Sequence, residues 1–149
     1  MSINVKLGNL LAEAEDFDAI MHGCNCFHDE DSGIAAQIWA KWPMARKMSK
    51  EHHEAGDFNA FGEYVSGYEQ IGRFTIINAY TQYRGGANFN IHAFINILKQ
   101  INEDFTGMNI GIPMIGCGIG GADWESVQGI LLHYAPDVNW TVIVWAGES

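Results

Sequence analysis

Ile115-Gly116-Cys117-Gly118-Ile119-Gly120-Gly121-Ala122-Asp123-Trp124 is the stretch on which the reading of this sequence turns. Asn109 to Met114 precedes it and reads as a buried strand. A helical pattern from Trp124 to about Tyr134 follows, with Asp123 as its N-cap. Four glycines between Gly116 and Gly121 let the main chain approach a ligand and adopt positive φ. Successive N–H groups ahead of a helix N-terminus make an anion site, and phosphate is the anion expected. Gly116-x-Gly118-x-x-Gly121 also matches the dinucleotide pattern G-x-G-x-x-G. The residues after it offer no βαβ unit to hold the ribose-binding acid which that pattern requires. No Gly-Lys-Ser/Thr follows, so it is not a P-loop either.

Working outward, Asp18 to Gly23 reads as a short buried strand, with His22 at its end. The polar loop Cys24 to Ser32 follows, and Gly33-Ile34-Ala35 opens a helix running to Trp42. That helix start is a second place ready for an anion. Asn25 offers both donor and acceptor, as a sugar hydroxyl requires, but it equally suits holding its own loop together. Two loops suited to phosphates imply a diphosphate between them. Trp145, at the end of the last strand, is placed to be a platform for a nucleobase. Asn9, at the end of the first, is placed to read a base edge. Each stands equally well as a structural residue. His28 with Asp29 and Asp31 reads first as a solvated turn, and His52-His53 as a solvated helix end. No metal site is expected.

The remaining segments alternate between strands and helices. Strands are expected at Asn4–Leu7, Glu63–Gly67, Arg73–Tyr80 and Trp140–Trp145. Helices are expected at Met44–His53, after Pro43, and at Asn90–Asp104. Strands separated by helices pair mostly in parallel, with helices on both faces and ligands at the carboxyl ends. The 149 residues, 48% hydrophobic and 17% charged, suit a single domain over 1–149 with one sheet. Eight basic residues against 18 acidic ones argue against general nucleic-acid binding. No apolar run is long enough to span a bilayer and no signal peptide is visible, so a soluble, cytoplasmic, monomeric protein is expected. Cys24, Cys26 and Cys117 read as buried thiols rather than a disulfide framework or a metal pair.

Taken in order, these residues resemble the macrodomain family, an ADP-ribose-binding module. Leu7-Gly8-Asn9-Leu10-Leu11 resembles its first-strand motif. His22-Gly23-Cys24-Asn25-Cys26 followed by Gly33-Ile34-Ala35 resembles a subgroup that includes ADP-ribose-1″-phosphate phosphatases. Gly62-Glu63-Tyr64, Ile77-Asn78-Ala79-Tyr80 and Pro113 to Trp124 also fit, so the resemblance covers nearly the whole chain. It implies an α/β fold: a three-layer α/β/α macrodomain with a central mixed, mostly parallel sheet. The implied ligand is ADP-ribose or a derivative, with no cofactor. Gly8, Asn9 and Leu10 would form the adenine end, with Asn9 on the amine, and Trp145 would pack near the adenine or its ribose. Asn25 would meet the distal ribose. Gly33, Ile34 and Ala35 would hold the diphosphate together with Gly116, Cys117, Gly118, Ile119, Gly120 and Gly121.

The resemblance further implies hydrolysis of ADP-ribose 1″-phosphate to ADP-ribose and phosphate. His22 would be the acid or base, Asp123 would orient water, and His28 is the reserve acid. A non-catalytic binding or sequestering module is the alternative. Removal of ADP-ribose from protein or nucleic acid is a further one. Members with that last activity carry a Lys where Gln82 stands, and an acid where Gly120 stands. The acidic run His28-Asp29-Glu30-Asp31-Ser32 also replaces a glycine-rich tract usual before Gly33.

Overall fold

The structure, a computed structural model, describes residues 2–30, 33–117 and 122–145. Six strands form one sheet: β1 (Ser2–Gly8), β2 (Ala19–Gly23), β3 (Tyr64–Glu69), β4 (Phe74–Ala79), β5 (Asn109–Ile112) and β6 (Asn139–Trp145). Their order across the sheet is β1-β6-β5-β2-β4-β3. Every neighbouring pair is parallel except β3 with β4, which is antiparallel. The short Gly-containing turn between β3 and β4 allows only a hairpin, whereas the other strands are joined by helices that return the chain to the same end.

Five α-helices cover the sheet: α1 (Leu10–Glu13), α2 (Gly33–Lys41), α3 (Pro43–His52), α4 (Ile91–Asp104) and α5 (Trp124–Tyr134). The pleat of each central strand divides its apolar side chains between two cores. Met21 and Ile77 pack with Phe94, Ile97 and Leu98 of α4 and Leu131 of α5. Ile20 and Ile76 pack with Ile38 and Trp39 of α2 and Ala45 of α3. The result is the expected three-layer α/β/α arrangement with a mixed, mostly parallel sheet.

Two local features go beyond the sequence reading. On α4 the buried stripe is Ala93, Phe94, Ile97, Leu98 and Ile101, while Ile91 is exposed. Ile91 occupies the first turn, ahead of the arc that meets the sheet. The second feature is α1, a turn of helix that follows Asn9 directly. The Asn9 Oδ1 accepts from the N–H groups of Leu11 (3.0 Å) and Ala12 (3.4 Å). The Glu13 carboxylate accepts from the Asn9 N–H (3.0 Å) and pairs with Lys6 (2.6 Å). These reciprocal caps hold one turn of helix that is too short to leave a periodic signal.

Asn78 pins the sheet to the α2/α3 layer. Its Nδ2 donates to the Ala45 carbonyl (2.8 Å), and its Oδ1 accepts from Trp39 Nε1 (3.2 Å). Among the described residues, no buried side-chain polar atom lacks a partner. Cys24 and Cys26 are buried and Cys117 is half-buried, all as free thiols.

Candidate functional site

A cleft of about 380 Å³ opens at the carboxyl ends of β1 and β6, beside the start of α2 and the segment that leaves β5. Register places its walls: Gly8 at the end of β1 pairs with Trp145 at the end of β6. Gly8, Leu10, Ile34, Cys117 and Trp145 line it, as the sequence reading expects of ligand-contacting residues. Gln37, Met114 and Val144 line it too, and nothing in the sequence singles them out. Ile34 signals the α2 face, however, and Gln37 lies within one turn of it. Among the described residues the lining carries no charge. Trp145 is 56% exposed, whereas Trp140, Trp39 and Trp42 belong to the core. An uncharged cleft that offers an indole suits a planar aromatic ring.

Two glycines with positive φ flank the cleft. Gly33, at φ +74°, opens α2 with no atom near the position a Cβ would take. Gly116, at φ +79°, lies against Phe89, where a Cβ would stand 2.6 Å from the ring. The Ala122 N–H donates to the Gly116 carbonyl (2.7 Å). Gly118, Ile119, Gly120 and Gly121 lie outside the described residues, as do Asp31 and Ser32. Ala35 is buried on α2.

Asn9 and Asn25 both have bonds that hold their own loops. The Asn9 carbonyl oxygen is engaged by α1, so its Nδ2 is the group left for a ligand: a donor for a ring nitrogen rather than an acceptor for an amine. Asn25 is 3% exposed. Its Oδ1 accepts from the Phe27 N–H (2.8 Å), and its own N–H donates to the Glu30 carboxylate (2.5 Å). Its Nδ2 lies beside Gly85, 3.5 Å from where a Cβ there would stand.

The three residues expected to carry catalysis all have other occupations. His22 is fully buried on the α2/α3 side of the sheet, on the same pleat face as Ile20. Its Nε2 lies 2.7 Å from Asn78 Oδ1. Because the Asn78 Nδ2 already donates to Ala45, Oδ1 is the acceptor, which assigns the imidazole proton to Nε2. Nδ1 then faces the Cys24 thiol at 3.7 Å. Burial lowers the His22 pKa to about 4, so the ring is neutral near pH 7. His22 therefore braces the layers, and it does not line the cleft.

His28, at φ +60°, is buried rather than in a solvated turn. Its Nδ1 meets Ser49 Oγ (2.9 Å) and its Nε2 meets the His53 carbonyl (2.8 Å). Ser49 Oγ in turn meets the Tyr80 hydroxyl (2.7 Å). Burial lowers the His28 pKa. His53 is likewise buried rather than a solvated helix end, and its Nε2 donates to the Cys26 carbonyl (3.1 Å). Bonds to Ser49 on α3 and to the His53 and Cys26 carbonyls, with Tyr80 edge-on to the His53 ring, hold both rings inward, which residue type alone does not reveal. Asp123 caps α5, accepting from the Ser126 N–H (3.2 Å) and hydroxyl (3.1 Å). Among the described residues no group of three or more potential metal ligands is assembled.

A mixed sheet between two helical layers, with an aromatic cleft and positive-φ glycines at its strand ends, defines an α/β/α ligand-binding module. No family model matches this chain. The chain is 34% identical to the 17.5 kDa protein of the tk–vs intergenic region of Enterobacteria phage T4, over 97% of both chains. It is 22% identical to an ADP-ribose 1″-phosphate phosphatase of Saccharomyces cerevisiae, over 95% of this chain and 97% of that one. The macrodomain of Mycobacterium tuberculosis DarG superposes with a TM-score of 0.74 at 22% identity, over 99% of both chains. Thermosipho africanus DarTG in complex with ADP-ribose gives a TM-score of 0.75 at 16% identity, over 98% of this chain and 43% of that one. The chain is a relative of the phage T4 protein, and its fold is that of a macrodomain.

Proposed function

We propose that the protein binds ADP-ribose or a derivative of it. The observation that carries this reading is the uncharged cleft, with Trp145 offered opposite Gly8 and the positive-φ glycines Gly33 and Gly116 at its flanks. The adenine lies against the Trp145 indole. The diphosphate passes between the start of α2 and the Gly116 loop, where main-chain N–H groups meet it without a basic side chain. The distal ribose reaches Asn25. The ADP-ribose complex of the similar DarTG supports the same assignment. In this reading the protein works as a monomer without a cofactor. Polynucleotides are not its partners, because eight basic residues against 18 acidic ones leave little counterion release to drive their binding.

A second reading, hydrolysis of ADP-ribose 1″-phosphate to ADP-ribose and phosphate, is favoured by the full-length likeness to the yeast phosphatase. In that case the site works by holding the phosphoryl group where water reaches it, since His22, His28 and Asp123 are engaged elsewhere. Removal of ADP-ribose from macromolecules is the weaker alternative. Gln82 cannot supply the charge of a Lys, and its amide already donates to the carbonyls of Arg84 (2.8 Å) and Gly86 (3.0 Å). Calorimetric titration with ADP-ribose tests the binding reading, with saturable one-to-one heat expected. Phosphate release from ADP-ribose 1″-phosphate on the same sample tests the second. Absence of heat with ADP-ribose overturns the ligand assignment.

A further inference from the structure

The segment from Gln82 to Asn90 borders both flanks of the site. The Cys26 N–H donates to the Tyr83 carbonyl (3.0 Å), Gly85 lies beside the Asn25 amide, and the Phe89 ring supports Gly116. Outside the cleft, a second pocket of about 240 Å³ is lined by Phe61, Tyr83, Arg84 and Asn88. The two pockets share no lining residue. Arg84 is the one charged residue of this segment. It lies 5.1 Å from the Phe27 ring centroid and 5.5 Å from that of Tyr83. Those rings are themselves packed together at 5.0 Å, and the Tyr83 hydroxyl donates to the Gly56 carbonyl (2.6 Å).

The turn beneath Arg84 is tied down as well. Gln82 bridges the carbonyls of Arg84 and Gly86, and Asn88 Nδ2 donates to the Gly85 carbonyl (2.7 Å). None of the ion pairs among the described residues involves Arg84. A guanidinium stacked on aromatic faces keeps its in-plane N–H groups for an oxyanion, which it can hold with two parallel bonds.

We propose that Arg84 is the specificity-determining contact for an anionic group, a phosphoryl above all, carried on the distal ribose of the ligand. This rests on the ADP-ribose reading and names the substituent that the site selects. Asn25 marks the distal end, and Gly85, the neighbour of Arg84, touches it. The Glu30 carboxylate stands at the same end, on the Asn25 N–H. An anionic substituent is therefore turned away from Glu30 and toward Arg84. The acidic run before Gly33 repels a terminal phosphate, and Arg84 supplies a cation to receive it.

The test compares ADP-ribose with a non-hydrolysable 1″-phosphonate analogue of it, by calorimetry at low salt. The wild-type protein is expected to bind the analogue about tenfold or more tightly than ADP-ribose, as one charge-assisted, partly solvated contact gives. Arg84→Ala closes that gap and leaves ADP-ribose affinity within about twofold, since the side chain is exposed and meets only the substituent. Arg84→Lys retains part of the gap, because the charge stays but the stacked fork is lost. Lys99→Ala, an equal loss of charge on α4, leaves the gap intact. Equal affinity for the two ligands in the wild type, or a gap that survives Arg84→Ala, overturns this proposal and leaves the ADP-ribose reading standing. Failure to bind either ligand overturns both.

Discussion

Trp145 and His22 show how differently one residue can be read before and after folding. Trp145 is exposed at the cleft, so its substitution separates affinity from stability. Trp145→Ala is expected to weaken ADP-ribose binding by about tenfold or more, in line with roughly 1–3 kcal/mol for an aromatic–base stack. Its unfolding midpoint should stay close to that of the wild type, and calorimetry with urea titration would show both. His22 is the reverse case. A histidine at the end of a buried strand invites an acid–base role, and sequence cannot tell which sheet face its side chain takes. The pleat puts it with Ile20, against Trp39 and Asn78. His22→Gln is expected to cost about 1–3 kcal/mol of stability through the disturbed Asn78 network. Any phosphate release per folded molecule should persist, and loss of turnover with stability intact would restore the catalytic role.

Among the elements, the glycine-bearing starts of α2 and of the loop after β5 were legible because glycine runs and apolar strands are local signals. The caps of α1 and α5 were legible only as possibilities. Asn9 and Asp123 are the right residue types for both capping and ligand contact, and only the bonds to Leu11 and Ser126 decide. Within the Gln82–Asn90 segment only Gln82 was legible, through the resemblance; the rest was not, since its role comes from packing against Asn25 and Gly116. The two positive-φ glycines make a paired prediction. Gly33→Ala meets no neighbour, so it should cost only backbone strain, about 1 kcal/mol. Gly116→Ala adds a collision with Phe89, and should both lower the melting temperature further and weaken ADP-ribose binding. Equal effects of the two substitutions would show that Phe89 does not set the loop.

For the whole molecule, the layered α/β arrangement followed from alternation of short apolar and helical segments, whereas the sheet order needed tertiary contacts. One property belongs to the protein as a unit. His22, His28 and His53 all have pKa values lowered by burial. The unfolded chain takes up protons at these sites first as pH falls from about 6.5, so stability drops with falling pH. For His22 that loss runs down to about pH 4 and amounts to roughly 3 kcal/mol. Urea unfolding across about pH 4 to 8 should show this slope, and His22→Gln should flatten it. The pairing of β1 with β6 has another consequence. Gly8 and Trp145 lie side by side at the cleft, on paired strands, although most of the sequence separates them. The cleft exists only while β6 is docked beside β1, so ligand capture waits on the pairing of two strands far apart in sequence. A ligand bound there would clasp β1 and β6 together and slow any local opening that separates them.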